Sequence, residues 1–313
     1  MWVSPMSDLI GLHDAERDRM KNKIFPNYAL MKISAYHKAR GDTVEWWAPD
    51  IETPYDTVYS SKVFDFTPVN SKLPEDTIRG GTGYDIYSRL PPEIEDMRPD
   101  YSIYTACDYA IGYTTRGCIR HCKWCVVPMK EGGIAPYRDW RELVRPDSSK
   151  LVLMDNNILA CDYGSSQLKS LIGSGYAIDL NQGMDARLVT RSIAEILSRL
   201  KWIRFIRFSC DSMAQMDAVL NAAELLRVRG IKPYRLFVYM LVTEDLSDAA
   251  ARVESMKQLR GINLFPQAER NERLGIRPGE GQLEFCQRYV YSGCFRRESW
   301  DEYCKRKNLN FGR

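Results

Sequence analysis

A chain of 313 residues, 44% apolar and 27% charged, has room for one large domain or two ordinary ones, and its composition excludes a disordered or fibrous class. Lys plus Arg number 44 against 41 Asp plus Glu, and a net charge of +3 argues against a strong nucleic-acid field. No run of about 18 uncharged apolar residues occurs, and the opening "MWVSPMSDLIGLHDAERDRMKNK" has no export signal. A cytoplasmic protein with no membrane span is expected.

In chain order, "FPNYALMKISAYHKARGDTVEWWAP" predicts a helix entered at Pro26 and stopped at Gly41, then a strand. "DTVYSSKVFDF" reads as another strand, so residues 1–70 form a small α/β, Rossmann-like domain. Residues 71–106, rich in Pro and Gly, read as a connecting segment. They are long for a structureless loop, so part of them is expected to pack against the mouth of the larger domain on their C-terminal side.

From Cys107 onward, short apolar runs alternate with amphipathic ones. The expected strands are "YAIGYTT", "KLVLMD", "YAIDLNQ", "WIRFIRFSC", "YRLFVYMLV" and "INLF". Among the helices between them, "DARLVTRSIAEILSRL" and "SMAQMDAVLNAAELLRVRG" carry apolar residues near helical spacing, and Gly230 and Gly261 close two of the helices. Strands alternating with helices imply parallel strands and right-handed crossovers. Residues 107–266 are therefore expected to form a partial (β/α)6 barrel, with its chemistry at the C-terminal ends of the strands. Residues 267–313 follow as a helical extension with a locally basic, solvated tail.

Nine cysteines in a reducing compartment suggest buried thiols, metal ligands or catalytic groups rather than disulfides. Three of them crowd into "TTRGCIRHCKWCVVPMK": Cys118, Cys122 and Cys125. A structural zinc site wants four ligands, and His121 is badly placed to be the fourth because it adjoins Cys122. A redox pair of Cys122 and Cys125 leaves Cys118 without a role. An iron–sulfur cube held by three thiolates keeps one iron open to another ligand.

The spacing Cys118-x-x-x-Cys122-x-Trp124-Cys125, placed after the first strand of a six-unit β/α series, resembles the radical S-adenosylmethionine superfamily. The resemblance implies a [4Fe–4S] cluster on the three cysteines, S-adenosylmethionine on the open iron, and reductive cleavage to a 5′-deoxyadenosyl radical that abstracts hydrogen from a substrate. Gly117 would let the backbone turn close to the cluster. Arg116, Arg120 and Lys123 would place positive charge beside it, and Trp124 would shield it or meet the adenine.

After the second strand, Asp155, Asn156 and Asn157 stand where the family receives the methionine amino group, a variant seen in members with an N-terminal cobalamin-binding-type domain. After the third strand, Gln182 and Arg187 are expected to meet the cofactor carboxylate or the substrate, while Asp185 reads equally as a cap. On the fourth strand Ser209 and Asp211 fall where ribose is often bound. Asp211 also reads as a helix cap, and Cys210 as a buried thiol. Tyr239 and Thr243 are candidates of the same kind on the fifth strand.

The front of the chain resembles a cobalamin-binding-type domain but lacks its Asp-x-His-x-x-Gly signature: around His13, Gly11 replaces the Asp and Glu16 the Gly. Cobalamin is allowed but not favoured. Val126, Val127 and Pro128 match methylthiotransferases, whose second cluster needs N-terminal cysteines, yet no cysteine precedes Cys107. Cys286, Cys294 and Cys304 raise an auxiliary cluster or, alternatively, thiols turned inward on two helices.

The expected function is that of a radical enzyme, an oxidoreductase on an unidentified substrate served by an external reductant such as flavodoxin or ferredoxin. A cobalamin-dependent radical methyltransferase and an iron–sulfur electron-transfer protein are the alternatives. A nucleic acid stays open as a partner.

Overall fold

The central strand of the first unit is one that periodicity does not announce. In the computed structural model, which describes residues 7–19, 25–50 and 54–311, Leu9–Asp14 (β1) is buried along nearly its whole length. It pairs in parallel with Thr43–Trp46 (β2) on one side and Thr57–Ser61 (β3) on the other, and Ile78–Gly80 (β4) adds to β3. The order β2-β1-β3-β4 is that of an open, parallel α/β sheet. Residues 1–6 and 20–23 of the stretch read for an export signal, and the last two residues of the tail, lie outside the described residues.

Helix Tyr28–Ala39 begins two residues after Pro26 because Asn27 takes the cap. Its Oδ1 accepts from the Leu30 N–H at 3.2 Å, and its Nδ2 donates to Ser61 Oγ at 2.8 Å. Leu30 and Ile33 then pack on Ile10 and Leu12. The chain divides into Met1–Asp108 and Tyr109–Arg313. Residues 71–106, expected as a connection, supply β4, the helical turn Pro92–Glu95 and the 3-10 turn Tyr101–Ile103 within the first unit.

The second unit carries two parallel sheets. Ala110–Gly112 (β5), Lys150–Leu153 (β8) and Ala177–Leu180 (β9) form one; Met184–Asp185 (β10), Ile206–Ser209 (β11), Leu236–Val242 (β12) and Asn263–Ala268 (β13) form the other. An isolated parallel bridge pairs Ile178 of β9 with Trp202, which precedes β11. Thr115–Arg116 (β6) and Ala135–Pro136 (β7) make a separate antiparallel pair. The protein is thus mixed α/β with parallel sheets, and no helix among the described residues is long and apolar enough to cross a membrane.

Strand β12 shows why the sheet sits as it does: Leu236, Val238, Met240 and Val242 alternate into the core while the residues between them do not. Leu197 from helix Arg191–Arg199, and Val219, Ala223 and Leu226 from helix Met216–Arg227, share that core. Each such aliphatic side chain contributes about 1.5–3 kcal/mol on burial. The expected helix over 185–200 is broken. Asp185 caps a 3-10 turn, Ala186–Leu188, and Thr190 accepts from the Ile193 N–H to start a new helix. Polar caps outweigh the apolar spacing there. The expected pair of C-terminal helices consists of Glu280–Glu284 running into a π-helical turn, Phe285–Val290, then a 3-10 turn, Cys294–Arg296, and helix Trp300–Lys307.

One buried cation fastens the sheet's C-terminal edge. Arg252, fully buried on helix Leu246–Met256, donates to the carbonyls of Cys210 at 2.7 Å and Leu241 at 2.8 Å, and pairs with Asp248 at 2.6 Å. Arg252→Ala strands both carbonyls and Asp248. A loss of about 3–5 kcal/mol is expected, read as a lower urea midpoint; an unchanged midpoint would contradict the fastening role.

Candidate functional site

The three cysteines lie on one loop whose base is stitched shut. Antiparallel pairing of β6 with β7 brings residues 115–116 and 135–136 together, and Cys118, Cys122 and Cys125 lie between them. Gly117 makes the turn at φ +85°, where a Cβ would stand 2.2 Å from the Gly133 carbonyl oxygen. Only glycine fits this close approach. The Cys118 N–H then bonds the Gly132 carbonyl at 3.2 Å, and a turn from Cys122 to the Cys125 N–H closes at 3.0 Å.

Three consecutive residues after β8 hold the loop. The ladder runs one step beyond β8 through the Met154 N–H to Gly112 O, which brings Asp155 under the start of the loop. The buried Asp155 carboxylate accepts from the backbone N–H and hydroxyl of both Thr114 and Thr115. Burial pushes its carboxyl above the ordinary value, and those donations oppose the shift. Asn156 Oδ1 accepts from the Gly117 N–H at 3.2 Å. Asn157 Nδ2 donates to Cys118 Sγ at 3.4 Å, and that sulfur also takes the Arg120 N–H at 3.3 Å. Asn157 is 3% exposed, and its Oδ1 has no partner.

Charged groups from the next strands ring the loop. Asp185, at the end of β10, takes the Arg120 Nε at 2.8 Å and both Nε and a terminal nitrogen of Arg187 at 2.7 and 3.0 Å. Burial alone would raise the Asp185 carboxyl, but the two guanidinium groups outweigh it and hold it below its ordinary value. Burial pushes the Cys122 thiol up, with Arg187 opposing, and likewise the Cys125 thiol, with the Val127 N–H opposing. Asp211 is raised by burial; its Oδ1 accepts from the Leu241 N–H at 2.9 Å. That bond ties neighbouring strands, where the sequence suggests a helix cap.

The remaining candidates are placed less tightly. Trp124 and Ser209 are half-buried, and Gln182 is exposed with Asn181 as its neighbour. Tyr239 donates to Asn181 O at 2.7 Å and accepts from Arg207, while Thr243 Oγ1 accepts from the Asp245 N–H. Of the expected cations, Arg116 is forked onto Glu131 at 2.8 Å, and Lys123 lies over Trp124. His121 is exposed. Cys210 is buried and pushed up to about 12. Cys286 is buried too, whereas Cys294 and Cys304 are half-buried on separate elements. Sequence reasoning missed Thr114, Thr115 and Arg252; the adjacent hydroxyls at a strand end were the available signal for the first two.

Among the described residues, no three His, Cys, Asp or Glu side chains converge on one metal ion. A cube spaces its ligands more widely, because each thiolate takes its own iron. The donor set suits such a cube: three thiols on one loop and N–H donors aimed at a sulfur.

No family model and no curated protein matches the chain. Among solved structures it is similar to the cobalamin-dependent S-adenosylmethionine radical enzyme OxsB with aqua-cobalamin and S-adenosylmethionine bound, at 11% identity and a TM-score of 0.33. The match covers 84% of this chain and 49% of that one, so the chain spans about half its length. A likeness this loose fixes neither fold nor chemistry.

Gly117→Ala costs about 1–2 kcal/mol for the left-handed backbone alone and drives a methyl into Gly133. A lower urea midpoint is expected; a midpoint equal to that of wild type would contradict the close approach. Asp185 stabilises the loop wherever its carboxylate is ionised, which is true above its unfolded value and fails as pH falls through the lowered folded one. Asp185→Asn should therefore lower the urea midpoint at pH 7, and the gap to wild type should close only as pH falls below the ordinary carboxylate range.

Proposed function

We propose that the chain is a radical S-adenosylmethionine enzyme whose second unit is a partial barrel carrying a [4Fe–4S] cluster on Cys118, Cys122 and Cys125. The observation that carries this reading is a three-thiol loop at the C-terminal end of the first parallel strand, buckled to the second strand, with one buried acceptor left over. Cys118, Cys122 and Cys125 would hold that cluster, which would supply the electron for reductive cleavage of S-adenosylmethionine and so the means of hydrogen abstraction from a substrate.

Within this reading the residues after β8 divide their work. Asp155 and Asn156 are occupied by Thr114, Thr115 and Gly117, so they position the loop. Asn157 Oδ1 is the open acceptor, and an ammonium donor satisfies it. A buried acceptor without a partner costs roughly 1–3 kcal/mol, which favours a ligand there. Arg187 keeps N–H donors beyond the two given to Asp185, enough to receive a carboxylate. Trp124 shields the cluster side, and Gln182, Ser209 and the second oxygen of Asp211 are offered to the cofactor's polar groups.

The substrate is unassigned, and an external one-electron donor is required. In the first unit both ring nitrogens of His13 are taken, by Ser60 at 2.8 Å and Asp18 at 2.9 Å, which leaves none for an axial metal bond. We therefore keep cobalamin outside the proposal.

Anaerobic reconstitution tests it. Wild type is expected to take up about four irons and four sulfides and, with dithionite and S-adenosylmethionine, to release 5′-deoxyadenosine. Cys122→Ala is expected to lose both. A loaded protein that makes no 5′-deoxyadenosine would be an electron-transfer protein instead, and S-adenosylhomocysteine formed only with added cobalamin would indicate methyl transfer.

A further inference from the structure

The basic C-terminal segment is solvated, as its composition implies, but its cations are gathered rather than scattered. An open cavity of about 650 Å³ is bordered by Arg288, Arg297, Arg306 and Lys307, with Glu298 the one carboxylate among the described residues that line it. The cations come from three elements. Arg288 belongs to the π-helical turn Phe285–Val290, Arg297 caps the 3-10 turn Cys294–Arg296, and Arg306 and Lys307 stand in the last turn of helix Trp300–Lys307. Cations in a last turn complement the helix dipole, which accounts for Arg306 and Lys307 but not for the other two. The π turn is what sends Arg288 outward: the Tyr291 N–H bonds Cys286 O, five residues back, at 3.0 Å, so Phe285, Cys286, Tyr289 and Val290 all face the core while Gln287 and Arg288 are exposed. Such turns are rare and recur at functional sites.

The charge balance decides what the cavity can take. Glu298 is occupied by Arg306, which forks onto it at 2.9 and 2.5 Å, and Arg288 meets Glu284 only at 3.5 Å. Arg297 and Lys307 act on Glu298 through space and, among the described residues, their side chains donate no hydrogen bond and form no ion pair. Like charges held together without matching anions repel. An anion with several acceptor oxygens relieves that repulsion, and the planar forks of arginine fit phosphate oxygens in pairs. The volume is that of a small-molecule site, larger than a bare phosphate fills.

We propose that this cavity binds phosphate esters of nucleotide size, with Arg297, Arg306 and Lys307 on the phosphate oxygens. Its residues belong to the C-terminal extension and none to the cysteine loop, so the site goes beyond the radical chemistry and does not depend on it. A free nucleotide and the backbone of a single-stranded nucleic acid offer the same phosphate chemistry, and the test separates these two sources.

The full chain is dialysed to equilibrium against radiolabelled ATP, and a fluorescein-labelled oligothymidylate is followed by anisotropy, each at about 50 and about 200 mM NaCl. The double variant Arg297→Gln, Lys307→Gln is expected to bind about tenfold more weakly, the loss of one good contact to a charged group. Lys305→Gln removes an equal charge from the same helical turn but outside the cavity, and binding should stay within about twofold of wild type, because salt screens a charge that makes no contact. Saturating ATP should raise the melting temperature of wild type and leave that of the double variant where it is. ATP binding that the double variant loses assigns a free nucleotide; oligothymidylate binding that it loses, with ATP not held, assigns a nucleic-acid backbone, and either result supports the site. Absence of binding by both probes, binding that the double variant keeps, or a loss in Lys305→Gln as large as in the double variant would overturn it and leave the function proposed above untouched.

Discussion

The carboxylate of Asp155 is the constraint around which the site is built. A buried anion is costly unless several donors converge on it, and here they come from Thr114 and Thr115, the two residues that lead out of the first strand towards the cysteines. The direction of that exit is therefore set by a charge lodged at the end of a different strand. Asn156 and Asn157 follow in sequence and catch Gly117 and Cys118 in turn, so the chain order after β8 mirrors the chain order of the loop. Parallel pairing of β5 with β8 supplies the alignment this correspondence needs.

The rest of the polar edge repeats the device with arginine. Arg120 reaches from the loop to Asp185, which also holds Arg187, so the loop is tied to a third strand as well as the second. Arg207 forks onto Asp179 and touches Tyr239, and Arg252 gathers carbonyls from two strand ends. The guanidinium's planar set of donors suits such many-partnered positions. Of these groups Asp185 and Arg187, with Asp211, act on the Cys122 thiol, which burial pushes up.

How much of this was legible in sequence differs by element. Strands β5, β8, β9, β11, β12 and β13 could be read because their apolar residues run or alternate and because Gly230 and Gly261, at φ +88° and +90°, end the helices between them; β10, two residues long, could not. β1 escaped because "LIGLHD" places a glycine, a histidine and an aspartate in a short buried strand, a pattern with neither period. The pair β6–β7 is two residues long and has no periodic signature at all. The cysteines and Gly117 were visible through spacing, and Asp155 to Asn157 through their place after the second strand. Their division of labour was not, since it depends on which donors the fold delivers to each oxygen. Arg252 was invisible for a related reason: a helix surface full of charges does not say which one turns inward.

The stitched base of the cysteine loop matters for how the protein ages. Because β6 and β7 close it with main-chain bonds, and Asp155 anchors one leg, the entropy of drawing its ends together is spent when the chain folds rather than when any ligand binds. On the function proposed above, a centre lost to oxygen would leave a loop still closed by these same bonds, so repair would be a matter of refilling rather than of making a new polypeptide.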